Sequence, residues 1–125
     1  MVNRDLKIRT KKFAHDCVKA SMLFPSNKLG LHLQGQLIRC STSVAANYRA
    51  ACIAQTKKSF VSKLSIVIEE VDESNFWLEF VRDENLLSTS EPLKSLIKES
   101  IELTAIFISS RITAQKNEKE SIINN

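Results

Sequence analysis

Apolar residues recur along most of the chain at alternating steps of three and four, which is the pattern of amphipathic α-helices. One such stripe lies in the first half of the chain and comprises Leu37, Ser41, Val44, Tyr48 and Ala51. Another lies near the middle and comprises Phe60, Leu64, Val67, Val71, Ser74, Leu78 and Val81. A seam with a period near 3.5 residues favours long helices that pack side by side at a shallow angle.

Three short breaks interrupt this periodicity. Pro25 with Ser26 and Asn27 ends the first helix. Gln55 and Thr56 separate the second helix from the third, and Thr56 is the predicted N-cap of the third. Residues 83–90 connect the third helix to the fourth. The predicted helices span roughly 4–22, 29–54, 57–84 and 91–114, and 115–125 is predicted to be a frayed or disordered tail. Because short connections make consecutive helices antiparallel neighbours, residues 1–114 are predicted to form one all-α domain, an antiparallel up-down-up-down four-helix bundle.

Composition supports this fold class. The 125 residues include only two Gly and two Pro, whereas a strand-rich domain of this size needs many tight turns. The three cysteines form no C-x-x-C pair, which is typical of free thiols in a reducing cytosol. The first residues carry charges throughout, and no apolar run approaches the roughly 20 residues of a membrane span. The sequence therefore predicts a cytoplasmic protein without a membrane segment.

Charge is distributed unevenly along the chain. Residues 1–63 contain twelve Lys and Arg and two acidic residues, a net charge of +10, whereas 64–125 contain six basic and twelve acidic residues, a net charge of −6. This asymmetry indicates either an anionic partner for one surface or charge complementarity between copies of the chain.

The antiparallel topology gathers many of the basic residues at one end of the bundle. The start of the first helix, the end of the second and the start of the third meet there. The predicted nucleic-acid-binding residues are Arg4, Lys7, Arg9, Lys11, Lys12, Arg49, Lys57 and Lys58. Since few aromatic residues are interleaved with them, contacts to phosphates rather than to bases are expected.

No catalytic or metal-binding pattern is present in the sequence. The carboxylates of 69–73 lack the Glu-x-x-His pairs of di-iron bundles, because neither His15 nor His32 follows a Glu by three residues. Ser41-Thr42-Ser43 has no positioned base, and there is no Gly-rich phosphate loop. The sequence predicts no enzyme activity, no metal, no cofactor and no small-molecule substrate.

A second group of polar residues lies close to the apolar seams and comprises Arg39, Asn47, Glu70 and Glu73. Because the second and third helices are antiparallel neighbours, Arg39 is expected to reach Glu73 or Glu70 and to fix the register of the two helices. Trp77 and Tyr48 are interpreted as anchors of the core or of a subunit interface.

Four segments carry a resemblance to a known family. These are RTKKFA at 9–14, RCSTSVAANYRA at 39–50, FVSKLSI at 60–66 and EVDESNFWLE at 70–79. Over about residues 4–112 the chain resembles the bacterial four helix bundle protein family, also called the 23S rRNA intervening-sequence protein family. That family is similar to the accessory variability determinant proteins of diversity-generating retroelements. Glu69 stands where Lys is frequent in the family, which weakens any contribution of the third helix to a basic surface.

The resemblance implies a non-catalytic homopentamer whose basic surface engages RNA or DNA and a nucleic-acid-processing protein. The alternative is a structural or protein-interaction module in which the charge asymmetry serves self-assembly.

Overall fold

The computed structural model describes the backbone of residues 2–124 and the side chains of residues 5–117 and of Lys119. Four α-helices follow one another: α1 (Val2–Ser21), α2 (Lys28–Cys52), α3 (Lys57–Asp83) and α4 (Glu91–Asn124). Each of α1–α2, α2–α3 and α3–α4 packs extensively, and α1 meets α4 over a much smaller area. The predicted all-α four-helix bundle is confirmed. Within the described residues, no helix combines the length and the apolar character that crossing a bilayer demands.

Local interactions fix where the helices begin and end. The Asn27 side chain accepts a hydrogen bond from the Gly30 amide at 2.8 Å, and Thr56 Oγ1 accepts one from the Ser59 amide at 3.0 Å, so both act as N-caps. Just past the end of α3, Asn85 adopts the left-handed conformation with φ of 53°. The Thr56 cap is therefore confirmed.

The predicted tail differs from the observed structure. The sequence analysis ends the fourth helix near residue 114, whereas α4 continues to Asn124. Residues 115–124 lack an apolar stripe, but they contain neither Gly nor Pro and include Gln, Lys and Glu, which have high intrinsic helix propensity.

The predicted seams form the core. Phe13 and Cys17 of α1, Leu37 and Val44 of α2, and Phe107 of α4 are almost completely buried. The α3 contribution is the fully buried set Leu64, Val67, Val71 and Leu78. Between α2 and α4 the rings of Tyr48 and Phe107 pack at a centroid distance of 5.1 Å.

Small hydroxyl residues occupy buried positions within the seams. Thr10 Oγ1 donates to the Leu6 carbonyl at 2.7 Å, Ser74 Oγ to the Glu70 carbonyl at 2.8 Å, and Ser100 Oγ to the Ile97 carbonyl at 2.7 Å. Because each hydroxyl is satisfied within its own helix, these residues bring the helices close without an unpaired buried polar group.

Candidate nucleic-acid interface

A groove of about 740 Å³ runs along the outer side of α1 and α2. Residues spaced by three and four positions share one face of a helix, so each helix contributes one stripe to this groove. Its lining residues are Lys7, Lys11, Ala14, His15, Val18, Thr42, Ala45, Ala46 and Arg49. The floor consists mainly of small apolar side chains, and the antiparallel pairing places Lys7 and Arg49 at the same end of the groove.

The charged residues of the groove all have the same sign. Its lining contains three exposed cations, Lys7, Lys11 and Arg49, and no carboxylate. The whole of α2 contains no Asp or Glu. The groove is therefore cationic toward the end that Lys7, Lys11 and Arg49 line, and no carboxylate in its lining neutralises it.

Lys57 and Lys58 lie outside the groove but at the same end of the bundle. Both are exposed in the first turn of α3, directly after the Thr56 cap. In the described part of the chain, no carboxylate forms an ion pair with either lysine. The N-terminus of α3 adds partial positive charge from its free amide groups.

Arg9, another predicted member of the basic surface, faces α4 and is paired with acids. Its Nε and Nη2 atoms each donate to a carboxylate oxygen of Glu99 at 2.7 Å, and Nη2 also donates to Glu102 at 3.2 Å. Hydrogen bonding to Glu99 raises the pKa of Arg9. Arg9 therefore links α1 to α4, and the carboxylates of Glu99 and Glu102 neutralise its charge. We call these ion pairs of Arg9 with Glu99 and Glu102 the Arg9 clasp.

Lys12 and Arg4 complete the predicted set. Lys12 Nζ lies 2.6 Å from Asp16 Oδ2, one turn further along α1, and this hydrogen bond raises the pKa of Lys12. An exposed pair of this kind contributes little to stability, so it leaves Lys12 able to exchange partners. The side chain of Arg4 lies outside the described residues.

The predicted polar network forms between α2 and α3, with one exception. Arg39 Nη2 donates to Glu73, and Arg39 Nη1 donates to Glu70 at 3.4 Å, as the antiparallel register predicts. The indole nitrogen of Trp77 also donates to Glu73, at 3.0 Å. Asn47 does not join this network, because its amide donates to the carbonyl and the hydroxyl of Ser43 at 3.0 and 2.8 Å.

The outward face of α3 has the opposite character to the groove. Phe76 is 53% exposed, and Phe80 and Ile66 are exposed beside the carboxylates Glu69 and Asp72. The Phe76 ring lies edge-on to Trp77 at a centroid distance of 4.9 Å. Residues 64–81 include five acidic residues and no Lys or Arg. This face is aromatic and anionic, and it is unsuited to a phosphate backbone.

Two kinds of side chain bear on catalytic chemistry, the metal-ligating groups and the cysteine thiols. In the described residues, no group of three or more His, Cys, Asp or Glu side chains is arranged to hold a metal ion. Cys17 and Cys40 are buried, and burial raises the pKa of Cys40 to about 11, so neither thiol has the character of an activated nucleophile.

Comparison with known proteins gives a family and a fold. The sequence model described as 23S rRNA-intervening sequence protein matches residues 4–109. A solved structure from Bacteroides thetaiotaomicron, described as a protein with unknown function from the S23 ribosomal protein family, superposes with a TM-score of 0.80 at 28% identity. The match covers 89% of this chain and 98% of that one. No curated protein matches the chain.

Proposed function

Because the chain belongs to the 23S rRNA-intervening sequence protein family, we propose that it is a non-catalytic, homo-oligomeric accessory protein that binds nucleic acid through its basic end. The proposal includes the five-subunit assembly that the family resemblance implies and RNA or DNA as the polyanion. It also includes a nucleic-acid-processing protein as a further partner.

One observation carries the nucleic-acid part of this proposal. Five exposed cations from three helices lie at one end of the bundle, and no described carboxylate pairs with any of them; they are Lys7, Lys11, Arg49, Lys57 and Lys58. A solvated charged face normally mixes both signs, as the Lys12–Asp16 pair does elsewhere on α1. Unneutralised cations converging from separate helices favour a polyanionic partner such as a phosphate backbone.

The scarcity of aromatic side chains in the groove also favours contacts to phosphates over contacts to bases. Apart from His15, the groove lining has no aromatic ring, and the exposed aromatic residues of α3 lie among carboxylates. Binding should therefore depend weakly on base sequence and strongly on salt, because released counterions supply most of the free energy.

The decisive test measures binding of labelled RNA and DNA oligonucleotides by fluorescence anisotropy at 50 and 200 mM salt. If all five cations contact phosphates of a duplex, affinity should fall by roughly 500-fold between these salt concentrations. The Lys57→Glu/Lys58→Glu variant should bind at least about tenfold more weakly at 50 mM salt, with a shallower salt dependence.

The matched control is Lys94→Glu/Lys98→Glu, which reverses two exposed lysines near the other end of the bundle. It should bind within about twofold of the wild type if the basic end is the contact surface. Absence of binding at 50 mM salt, or equal losses in both variants, would contradict the proposal.

A second candidate function is a structural module whose charge asymmetry serves self-assembly alone. The exposed aromatic and acidic face of α3 favours it, because apolar side chains flanked by charge are typical of protein contacts. This function requires that high salt dissociates the oligomer and that nucleic acid does not compete.

A further inference from the structure

Two surfaces of the bundle are opposite in side-chain size and in charge. The α1–α2 groove has a floor of small side chains and a cationic rim, whereas the outward face of α3 projects large apolar side chains among carboxylates. We infer that the outward face of α3 of one copy docks into the α1–α2 groove of a second copy. This inference rests on the proposed function for the existence of an oligomer and adds which surfaces meet.

The dimensions of the two surfaces agree. The α3 side chains extend from Ile66 through Phe76 to Phe80, which lies fourteen positions beyond Ile66, or about 21 Å at 1.5 Å per residue. The α1 side of the groove extends from Lys7 to Val18, or about 17 Å. Ala14, Ala45 and Ala46 project little from the floor, so a third helix can approach closely and insert its larger side chains.

Charge favours a second copy in this particular orientation. The α3 segment 64–81 contains acidic residues and no cation, and α2 contains cations and no acidic residue. Docking brings Glu69 and Asp72 toward Lys7, Lys11 and Arg49, whereas pairing α3 with α3 of another copy would oppose like charges.

The position of the two surfaces determines the type of assembly. In the helix order α1–α2–α3–α4 around the bundle, α3 lies diagonally opposite α1 and has no extensive contact with it. A copy therefore offers its groove to one neighbour and its α3 face to another. Such a head-to-tail contact produces a closed ring or an open filament rather than a symmetric dimer.

This contact divides the basic residues into two groups. Lys7, Lys11 and Arg49 become subunit-contact residues, and Lys12, Lys57 and Lys58, which lie outside the groove, remain available to a polyanion. The salt dependence of nucleic-acid binding is then that of these three cations in each subunit, and it is shallower than the dependence expected when all five cations of the basic end contact phosphates. The nucleic-acid-binding surface of the assembly is then the repeated row of exposed lysines from successive copies.

The test uses full-length variants that block one surface each. Ala46→Arg adds bulk and charge to the groove, and Phe76→Gln/Phe80→Gln removes the apolar side chains of α3; all three positions are exposed, so the bundle should fold. In multi-angle light scattering, each variant should fall from the mass of the oligomer to the 14.1 kDa of one chain. The controls Ser109→Arg and Ile112→Gln, at exposed positions of α4, should retain the mass of the wild type.

Mixing the two variants identifies the pairing. The groove-blocked chain keeps an intact α3 face and the α3 variant keeps an intact groove, so the mixture should form a one-to-one complex of twice the single-chain mass and nothing larger. A mixture that stays monomeric, variants that retain the wild-type mass, or a wild-type protein that is itself monomeric would each overturn the inference.

The nucleic-acid proposal can fail separately. If Lys57→Glu/Lys58→Glu keeps the mass of the wild type and loses nucleic-acid binding, both proposals stand. If the mixing experiment succeeds and the wild type binds no nucleic acid, only the nucleic-acid part of the proposed function is wrong.

Discussion

The pair α1–α2 and the pair α3–α4 bury the same kind of seam but present different outer surfaces. Between α1 and α2, small side chains such as Ala45 and Ala46 leave a cationic groove, whereas α3 and α4 project large side chains such as Phe76 and Ile112 outward. The inner positions of both pairs follow the three-and-four spacing and determine the fold. The outer positions are free of that constraint, and their difference in size and charge is the basis of the contacts proposed above.

The largest expected effect is a difference in the free energy of unfolding between two substitutions in the α3–α4 pair, one at a buried and one at an exposed aromatic residue. Phe107 is completely buried against Tyr48, so Phe107→Ala should lower the free energy of unfolding by about 3–5 kcal/mol. Phe76→Ala, at a half-exposed position, should cost about 1 kcal/mol or less. Urea unfolding followed by circular dichroism measures both, and equal losses would show that the outward face of α3 is part of the core.

A smaller effect is expected within the first pair, where its two glycines differ in surroundings. A Cβ on Gly30 would lie 1.9 Å from the backbone oxygen of Pro25, so Gly30→Ala forces the α1–α2 connection to move and should destabilise the protein by about 1–3 kcal/mol. Gly35 has nothing within 4 Å of its added Cβ, and Gly35→Ala should stabilise the protein by up to about 1 kcal/mol. The same unfolding measurement applies, and two changes of the same sign would contradict this contrast.

The smallest expected effect is a loss of stability at alkaline pH, and it comes from buried titratable groups of the α1–α2 pair. Burial raises the pKa of Cys40 from 9.0 to about 11, and it also raises the pKa values of Cys17 and Tyr48. Between pH 9 and 11 the unfolded chain has released the Cys40 proton while the folded chain retains it, so stability should fall as pH rises through this window. Up to pH 10.5, which is 1.5 units above 9.0, the Cys40 contribution is on the order of 2 kcal/mol at most, because one pKa unit corresponds to about 1.4 kcal/mol.

Urea unfolding at several pH values from 8 to 10.5 tests this expectation. Cys40→Ala should show a shallower decline of stability than the wild type across the same range. Identical slopes would mean that the Cys40 thiol titrates alike in the folded and unfolded chain.

Much of the fold follows from the sequence because the relevant interactions are periodic or local. The seam residues Leu64, Val67 and Val71 are fully buried as the three-and-four spacing predicts. The contact of Arg39 with Glu73 also follows, since consecutive antiparallel helices have a register that the connecting loop restricts.

The candidate site was less predictable. The pairing of Arg9 with Glu99 depends on the register between the first and last helices, which no short connection fixes. The sequence predicts Asn47 in the α2–α3 network, but its amide donates to Ser43 one turn away, a local bond that competes with any bond across helices. The groove depends on the sizes of neighbouring side chains from two helices, and only the assembled bundle shows how these combine.

The Arg9 clasp also has a consequence for the order of folding. It joins residues 90 positions apart, at a contact much smaller than the three helix pairings α1–α2, α2–α3 and α3–α4, which link consecutive helices. Bringing together such distant segments carries the greatest loop-closure entropy, so we expect the α1–α4 contact to form last and to open first. Native-state hydrogen exchange should then report α1 as the helix with the lowest free energy of local opening, and removal of the clasp should speed unfolding more than it slows folding.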